Sequence, residues 1–374
     1  MAEGSVTPER AGVEDDRRRG ISAVAIAYVC LVLGLAGIAG WLLLYGDKAE
    51  PVAVGGSPRV EVAIDRVQSA APAPALSKPA DPPPSPAPIS RPAPEPPPAA
   101  VSNGIDDKVT LAVAPAPGLV EDTQAGPLPR IGRDGRQPWQ VYARPFDPSD
   151  RRPRVSILVS ELGLSNVLTE TAIERLPGAV SLGFVPYAER LPSWIERARA
   201  DGHEVLLTLP MEPLTYPRDD PGPQTLLTSL SDRENLQRLE WVMSRVAGYV
   251  GIVSFMGSRF TTNPVTLRPV LTALKSRGLL YVDSQAGPAS LAPGIARDIG
   301  LPHGATDRFI DDVATRAAID EQLAALEALA RDKGSALGVG SPYPVTLDRV
   351  AQWAPTLAAK GLALAPVSAV MRRP

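Results

Sequence analysis

Cysteine and histidine are nearly missing from this 374-residue chain, which has one of the first and two of the second. A single cysteine excludes a disulfide scaffold and a cysteine-rich zinc site, and two histidines exclude any site that needs three. Charge of one sign is lacking too. The 38 basic and 41 acidic side chains leave a formal net charge of −3, so no basic excess points to nucleic acid. Two nucleophile and nucleotide signatures are absent. No Gly-X-Ser-X-Gly elbow occurs, and Gly338-Val339-Gly340 has no helix-opening third glycine after it.

Proline is what the chain has in excess, with 42 residues, about twice ordinary usage. The prolines crowd into 72–98, where each removes an amide donor and fixes φ, so no packed element can form. The stretch predicts an extended, disordered polyproline II linker rising roughly 3 Å per residue. Two short apolar runs flank it at 60–64 and 109–113; docking on a folded domain and plain linker both remain open for them.

Residues 20–46 carry no charged side chain. At 1.5 Å per residue the run spans about 40 Å, more than the roughly 30 Å of a hydrocarbon core. A cleaved signal peptide would be shorter and end in small residues, whereas this run ends in Trp41-Leu42-Leu43-Leu44-Tyr45. Arg17-Arg18-Arg19 precede it, and the positive-inside rule keeps such a flank cytoplasmic. The expected organisation is a cytoplasmic tail (1–19), a transmembrane helix (20–46), a Pro-rich periplasmic linker (47–138) and a folded domain (139–374). The expected location is a bacterial inner membrane, single-pass, with the domain in the periplasm. Cys30 falls inside the span, so the exported part needs no oxidative folding.

From residue 154 onward, β-rich runs alternate with helical patterns. Strands are expected at 155–159, 179–185, 204–209, 251–255, 279–283, 336–340 and 362–367, with helices near 167–175, 191–200, 232–246, 265–277, 316–332 and 347–360. This alternation predicts an α/β fold with a parallel sheet, and about seven units predict a barrel. Working residues in such folds sit at the C-terminal ends of strands. Those ends supply Glu161, Tyr187, Glu212, the run Met256-Gly257-Ser258-Arg259, the pair Asp283-Ser284, and Asp311.

Each has a plainer reading beside it. Asp283 suits turn capping and Asp311 helix capping. Glu161 ends a strand expected to be buried, which demands an ion, an arginine or a raised pKa. Glu212 suits a pocket wall. Arg259 suits pairing with a carboxylate or an anionic sugar. His203 precedes a strand and reads as a helix-to-strand turn residue, while His303 reads as a loop residue able to approach the strand ends.

Taken in order, these segments resemble the divergent polysaccharide deacetylase family, relatives of the NodB-homology carbohydrate esterases, over residues 150–371. The run Gly202-His203-Glu204-Val205-Leu206-Leu207 leading to Leu209-Pro210-Met211-Glu212-Pro213, then Met256-Gly257-Ser258-Arg259-Phe260-Thr261 and Asp283-Ser284, carry the resemblance. It implies a deformed (β/α) barrel. It also implies a divalent metal, held by an Asp-Asp pair and two histidines, that activates water against an acetyl group.

Here the Asp-Asp-Leu-Gly pattern reads Ser160-Glu161-Leu162-Gly163, His-Met-Gly-Ser reads Phe255-Met256-Gly257-Ser258, and Gly-His-Pro reads Gly340-Ser341-Pro342. The resemblance therefore implies a degenerate metal site. Its catalytic candidates are Glu161 and Asp283, and its substrate-binding candidates are Tyr187, Glu212, Met256, Gly257, Ser258, Arg259 and Ser284. Any metal would have to draw on Glu161, Asp283, Asp311 and His303, a set dominated by oxygen that suits Mg²⁺ or Ca²⁺ better than zinc. The leading expectation is a membrane-anchored protein of envelope carbohydrate metabolism that binds glycan or a protein partner without metal-dependent hydrolysis. An active deacetylase with a carboxylate site and a structural envelope tether are the alternatives.

Overall fold

The computed structural model describes residues 109, 111, 114–284 and 289–373. The chain divides into two units, Met1–Ala93 and Pro94–Pro374, and the described residues belong to the second. The apolar run 20–46, the proline-rich stretch and the segment 60–64 lie outside the described residues. No helix among the described residues is long and apolar enough to cross a membrane.

A short hairpin, β1 (Val120–Thr123) and β2 (Gly126–Pro129), and a one-turn helix α1 (Pro138–Val141) come first. Alternating units follow: β3 (Arg154–Leu162), α2 (Asn166–Arg175), β4 (Ser181–Phe184), α3 (Leu191–Ala200), β5 (Val205–Met211) and α4 (Asp232–Met243). Then come β6 (Gly251–Met256), α5 (Pro264–Ser276), β7 (Leu280–Asp283), α6 (Ala292–Ile299), β8 (His303–Ala305) and β9 (Arg308–Phe309). The chain ends with α7 (Arg316–Lys333), β10 (Ser335–Gly340), α8 (Pro344–Trp353) and β11 (Ala363–Leu364). Helix starts obey local chemistry. Ser165, Asn263 and Thr315 each cap a helix by accepting from an amide two or three residues on, and Ser231 with Glu234 forms a reciprocal capping box.

Strand pairing in the nine-stranded sheet is parallel throughout, in the order β8-β7-β6-β5-β4-β3-β10-β9, with β11 beside the start of β3. The two ends of that path, β8 and β9, are consecutive in the chain. Only Thr306-Asp307 separates them, and those residues carry the pairing across: Thr306 N–H donates to Asp283 O and Asp307 N–H to Leu337 O. One bent segment thus serves as the stave between β7 and β10, giving the barrel that the alternation predicts, in the deformed form that the family resemblance implies.

Strand alternation sorts the side chains into two cores. Val155, Ile157 and Val159 face the helices, while Leu158 joins Leu206, Val253, Leu280, Val282, Leu337 and Val339 inside the barrel. The interior is filled, as in other small barrels.

Packing also extends N-terminal of residue 139. Leu111 is buried and its N–H bonds Arg199 O, and Leu119, Trp139 and Tyr142 close the barrel's base beside Val367 and Met371. Glu204, immediately before β5, is fully buried there. Its carboxylate accepts from Arg144 N–H (2.9 Å), Ser368 N–H (3.0 Å) and the hydroxyls of Ser368 and Ser181.

Three sequence expectations need revision. Helix α6 and the split stave are too short and too glycine- and proline-bounded to register as periodic segments. The helix expected at 347–360 stops at Trp353, and two 3₁₀ turns carry the chain to a left-handed Gly361. The last strand shrinks to two residues because β4 occupies the rest of that edge of β3.

Candidate functional site

The C-terminal ends of the strands gather Glu161, Tyr187, Asp311 and Ser341. Glu161 sits at a register shift between Val159 and Leu162 and has φ +64°, a left-handed conformation that costs a non-glycine residue roughly 1 kcal/mol or more. The bulge turns its side chain out of the strand alternation and into a cleft of about 250 Å³, lined also by Leu164, Ser165, Leu168, Ser341 and Tyr343. Burial and the negative charge of Asp311 raise the Glu161 pKa above the usual carboxylate range, and the Ser341 hydroxyl partly opposes this.

Asp311 follows β9 and is buried. Its Oδ2 accepts from Ser341 N–H at 2.7 Å and from the Thr346 hydroxyl at 2.8 Å. Burial still raises its pKa against those two donors. Tyr187 stands half-buried after β4, its phenol pushed up by burial and by the charges of Glu161 and Asp220. Leu164 and Tyr343 are exposed on the two lips of the cleft.

The other candidates lie apart from this group. Glu212 holds two loops together. Its Oε2 accepts from both the N–H and the hydroxyl of Thr228 at 2.6 Å, and Oε1 takes the Arg259 guanidinium at 3.3 Å. Its backbone oxygen accepts from Arg259 and Phe260 N–H. Ser258 Oγ accepts from Leu214 N–H at 2.9 Å. Met256 and Gly257 supply the two left-handed residues of that turn, at φ +58° and +88°. A β-carbon on Gly257 would lie 2.9 Å from Met211 Cβ, so this close approach requires glycine. Arg259 therefore faces a carboxylate of its own chain, the first of its two expected partners.

Asp283 ends β7 buried, and its backbone oxygen accepts from the N–H and hydroxyl of Thr306. Ser284 N–H donates to Ser254 Oγ at 2.9 Å, and the two hydroxyls are 3.1 Å apart.

Neither histidine joins the group. His203 fills a buried helix-to-strand turn, its ring nitrogens 2.8 Å from Val180 O and 3.0 Å from Ile173 O. His303 departs from the expectation of a loop residue near the strand ends. It opens β8, buried, with Nδ1 on Leu301 O and its own amide and carbonyl both bonded to Arg372.

These residues do not fit the divalent metal of the resembled family. Ser341 and Phe255, which stand at the histidine positions of the family pattern, bring no imidazole. Among the described residues no three His, Cys, Asp or Glu side chains come together as ligands. The sequence pointed to Glu161, Tyr187 and Asp311 through their strand-end positions. It gave no separate sign of Thr346 or Tyr343, since both act through the start of α8.

A family model described as divergent polysaccharide deacetylase matches residues 157–371. The crystal structure of ATU2773 from Agrobacterium tumefaciens C58 is 38% identical, covers 66% of this chain and 99% of its own, and superposes with a TM-score of 0.64. YibQ of Escherichia coli K12 is 28% identical over 194 residues, 52% of this chain and 60% of that protein. A Haemophilus influenzae protein is 26% identical over 194 residues, 52% of this chain and 68% of its own length.

Proposed function

We infer, given that this chain belongs to the divergent polysaccharide deacetylase family, that its barrel is a glycan-binding head that has given up metal-dependent hydrolysis. The observation that carries this reading is the ligand set. Phe255 and Ser341 stand where the family pattern has histidines, and among the described residues no three His, Cys, Asp or Glu side chains come together. What remains suits a polyhydroxylated ligand. The Glu161 carboxyl and the Tyr343 phenol at the cleft can hydrogen-bond sugar hydroxyls, and the exposed Tyr343 ring offers a face for a pyranose.

The setting proposed for this head is the periplasmic side of a bacterial inner membrane. There it hangs from a single transmembrane helix at 20–46 by a proline-rich stalk. Charge-free length and the preceding arginines support that placement. The partner is envelope glycan.

The test is sedimentation of the purified full-length protein, in nanodiscs, with insoluble envelope polysaccharide, together with metal content by elemental mass spectrometry. Binding that survives a chelator and weakens about tenfold in Tyr343→Ala is the expected result, with no stoichiometric metal retained. Retained metal that is lost in Glu161→Ala would replace this reading with a metal-dependent deacetylase. Absence of saccharide binding with a co-purifying envelope protein would replace it with a tether.

A further inference from the structure

We propose that Ser341 is a nucleophile for metal-free transfer of a short acyl group, with Glu161 as its general base. Ser341 is the first residue beyond β10 and stands on a strand-to-helix turn, with α8 beginning three residues later. The turn is pinned on both sides of the serine. Its own N–H donates to Asp311 Oδ2, and the Thr346 hydroxyl donates to the same oxygen.

That leaves the Ser341 hydroxyl to the cleft, which it lines together with Glu161. A nucleophile and a base sharing one cleft are the parts that hydroxyl activation needs first. Glu161 is aimed there by its left-handed backbone at the bulge in β3, a local cost that the plain course of the strand does not require. Helix α8 starts without a side-chain cap.

The cleft sets the substrate class. At about 250 Å³, with Leu164, Leu168, Pro342 and Tyr343 as apolar walls, it admits an acyl chain of a few carbons on an alcohol that stays outside.

The chemistry balances without an ion or a redox partner. Ser341 Oγ attacks the acyl carbon while its proton passes to Glu161. The bond from that carbon to the alcohol oxygen breaks, and Glu161 returns the proton to the departing oxygen. Water then gives a proton to Glu161 and attacks the acyl-serine, and Ser341 Oγ leaves with that proton.

The full-length protein is treated with a fluorophosphonate probe in the presence of a chelator, and the adduct is mapped by mass spectrometry. The adduct is expected on Ser341. It is absent in Ser341→Ala, which keeps the N–H to Asp311 and so the fold, and it forms at least about tenfold more slowly in Glu161→Gln. A burst of nitrophenol from p-nitrophenyl acetate accompanies it. No adduct at Ser341 in protein with a native melting curve overturns the proposal, as does an unchanged rate in Glu161→Gln. Polysaccharide sedimentation is read separately, so loss of glycan binding and loss of acyl transfer are distinguishable.

Discussion

At the scale of single residues, Glu161 concentrates several costs that a purely structural residue would shed. Its backbone is left-handed, its carboxyl is partly buried and its nearest charge is the like charge of Asp311. The pH dependence follows from the direction of the shift. A carboxyl whose folded pKa is raised binds its proton more tightly in the folded state, so its stabilising contribution is present in acid and is lost as pH rises through the folded value. Glu161→Gln, which mimics the protonated form, should therefore melt with the wild type at acid pH and above it at neutral pH. Calorimetric scans across that range test this, and equal melting at neutral pH would contradict it.

Much of this residue was legible in the sequence. Its strand-end position and the need to neutralise a buried carboxylate were both apparent. The answer, a bulge and an aspartate two strands away beyond β10, depends on register and could not be read from spacing.

At the scale of elements, strand-to-helix turns divide the candidate residues into two kinds. The β3 and β10 turns open onto a cleft, while the β5 and β6 turns lock onto each other through Glu212, Thr228, Ser258 and Arg259. The sequence grouped all of them at strand ends, because a strand end looks the same whether its polar atoms point outward or into a neighbouring loop. Gly257 tests the second kind. Alanine there meets Met211 Cβ and must hold φ +88°, so Gly257→Ala should cost about 1–3 kcal/mol. Denaturant unfolding would register this as a lower midpoint with an unchanged slope.

For the whole molecule, the sequence supplied the α/β alternation, and with it the barrel, because long amphipathic and β-branched runs declare themselves. It did not supply closure, since the closing stave is a three-residue and a two-residue strand joined at a bend. Nor did it supply the base. There Glu204 binds amides from residues 144 and 368 and a hydroxyl from residue 181, drawing three distant parts of the chain to one carboxylate. Glu204→Ala leaves those donors buried without an acceptor and should cost about 3 kcal/mol or more, measured by chemical denaturation. A loss under 1 kcal/mol would mean that water replaces the carboxylate.

The pairing of β3 with β10 also fixes an order of events in biosynthesis. Arg154 finds its partner only when Ser335 has been made, so the first long strand must wait through most of the domain's synthesis with one edge unsatisfied. The chain spends that interval exposed to other strands. Contacts this distant in sequence also slow the final collapse. A polypeptide ending just before β10 should thus emerge as an aggregate, its unsatisfied strand edge open to its neighbours.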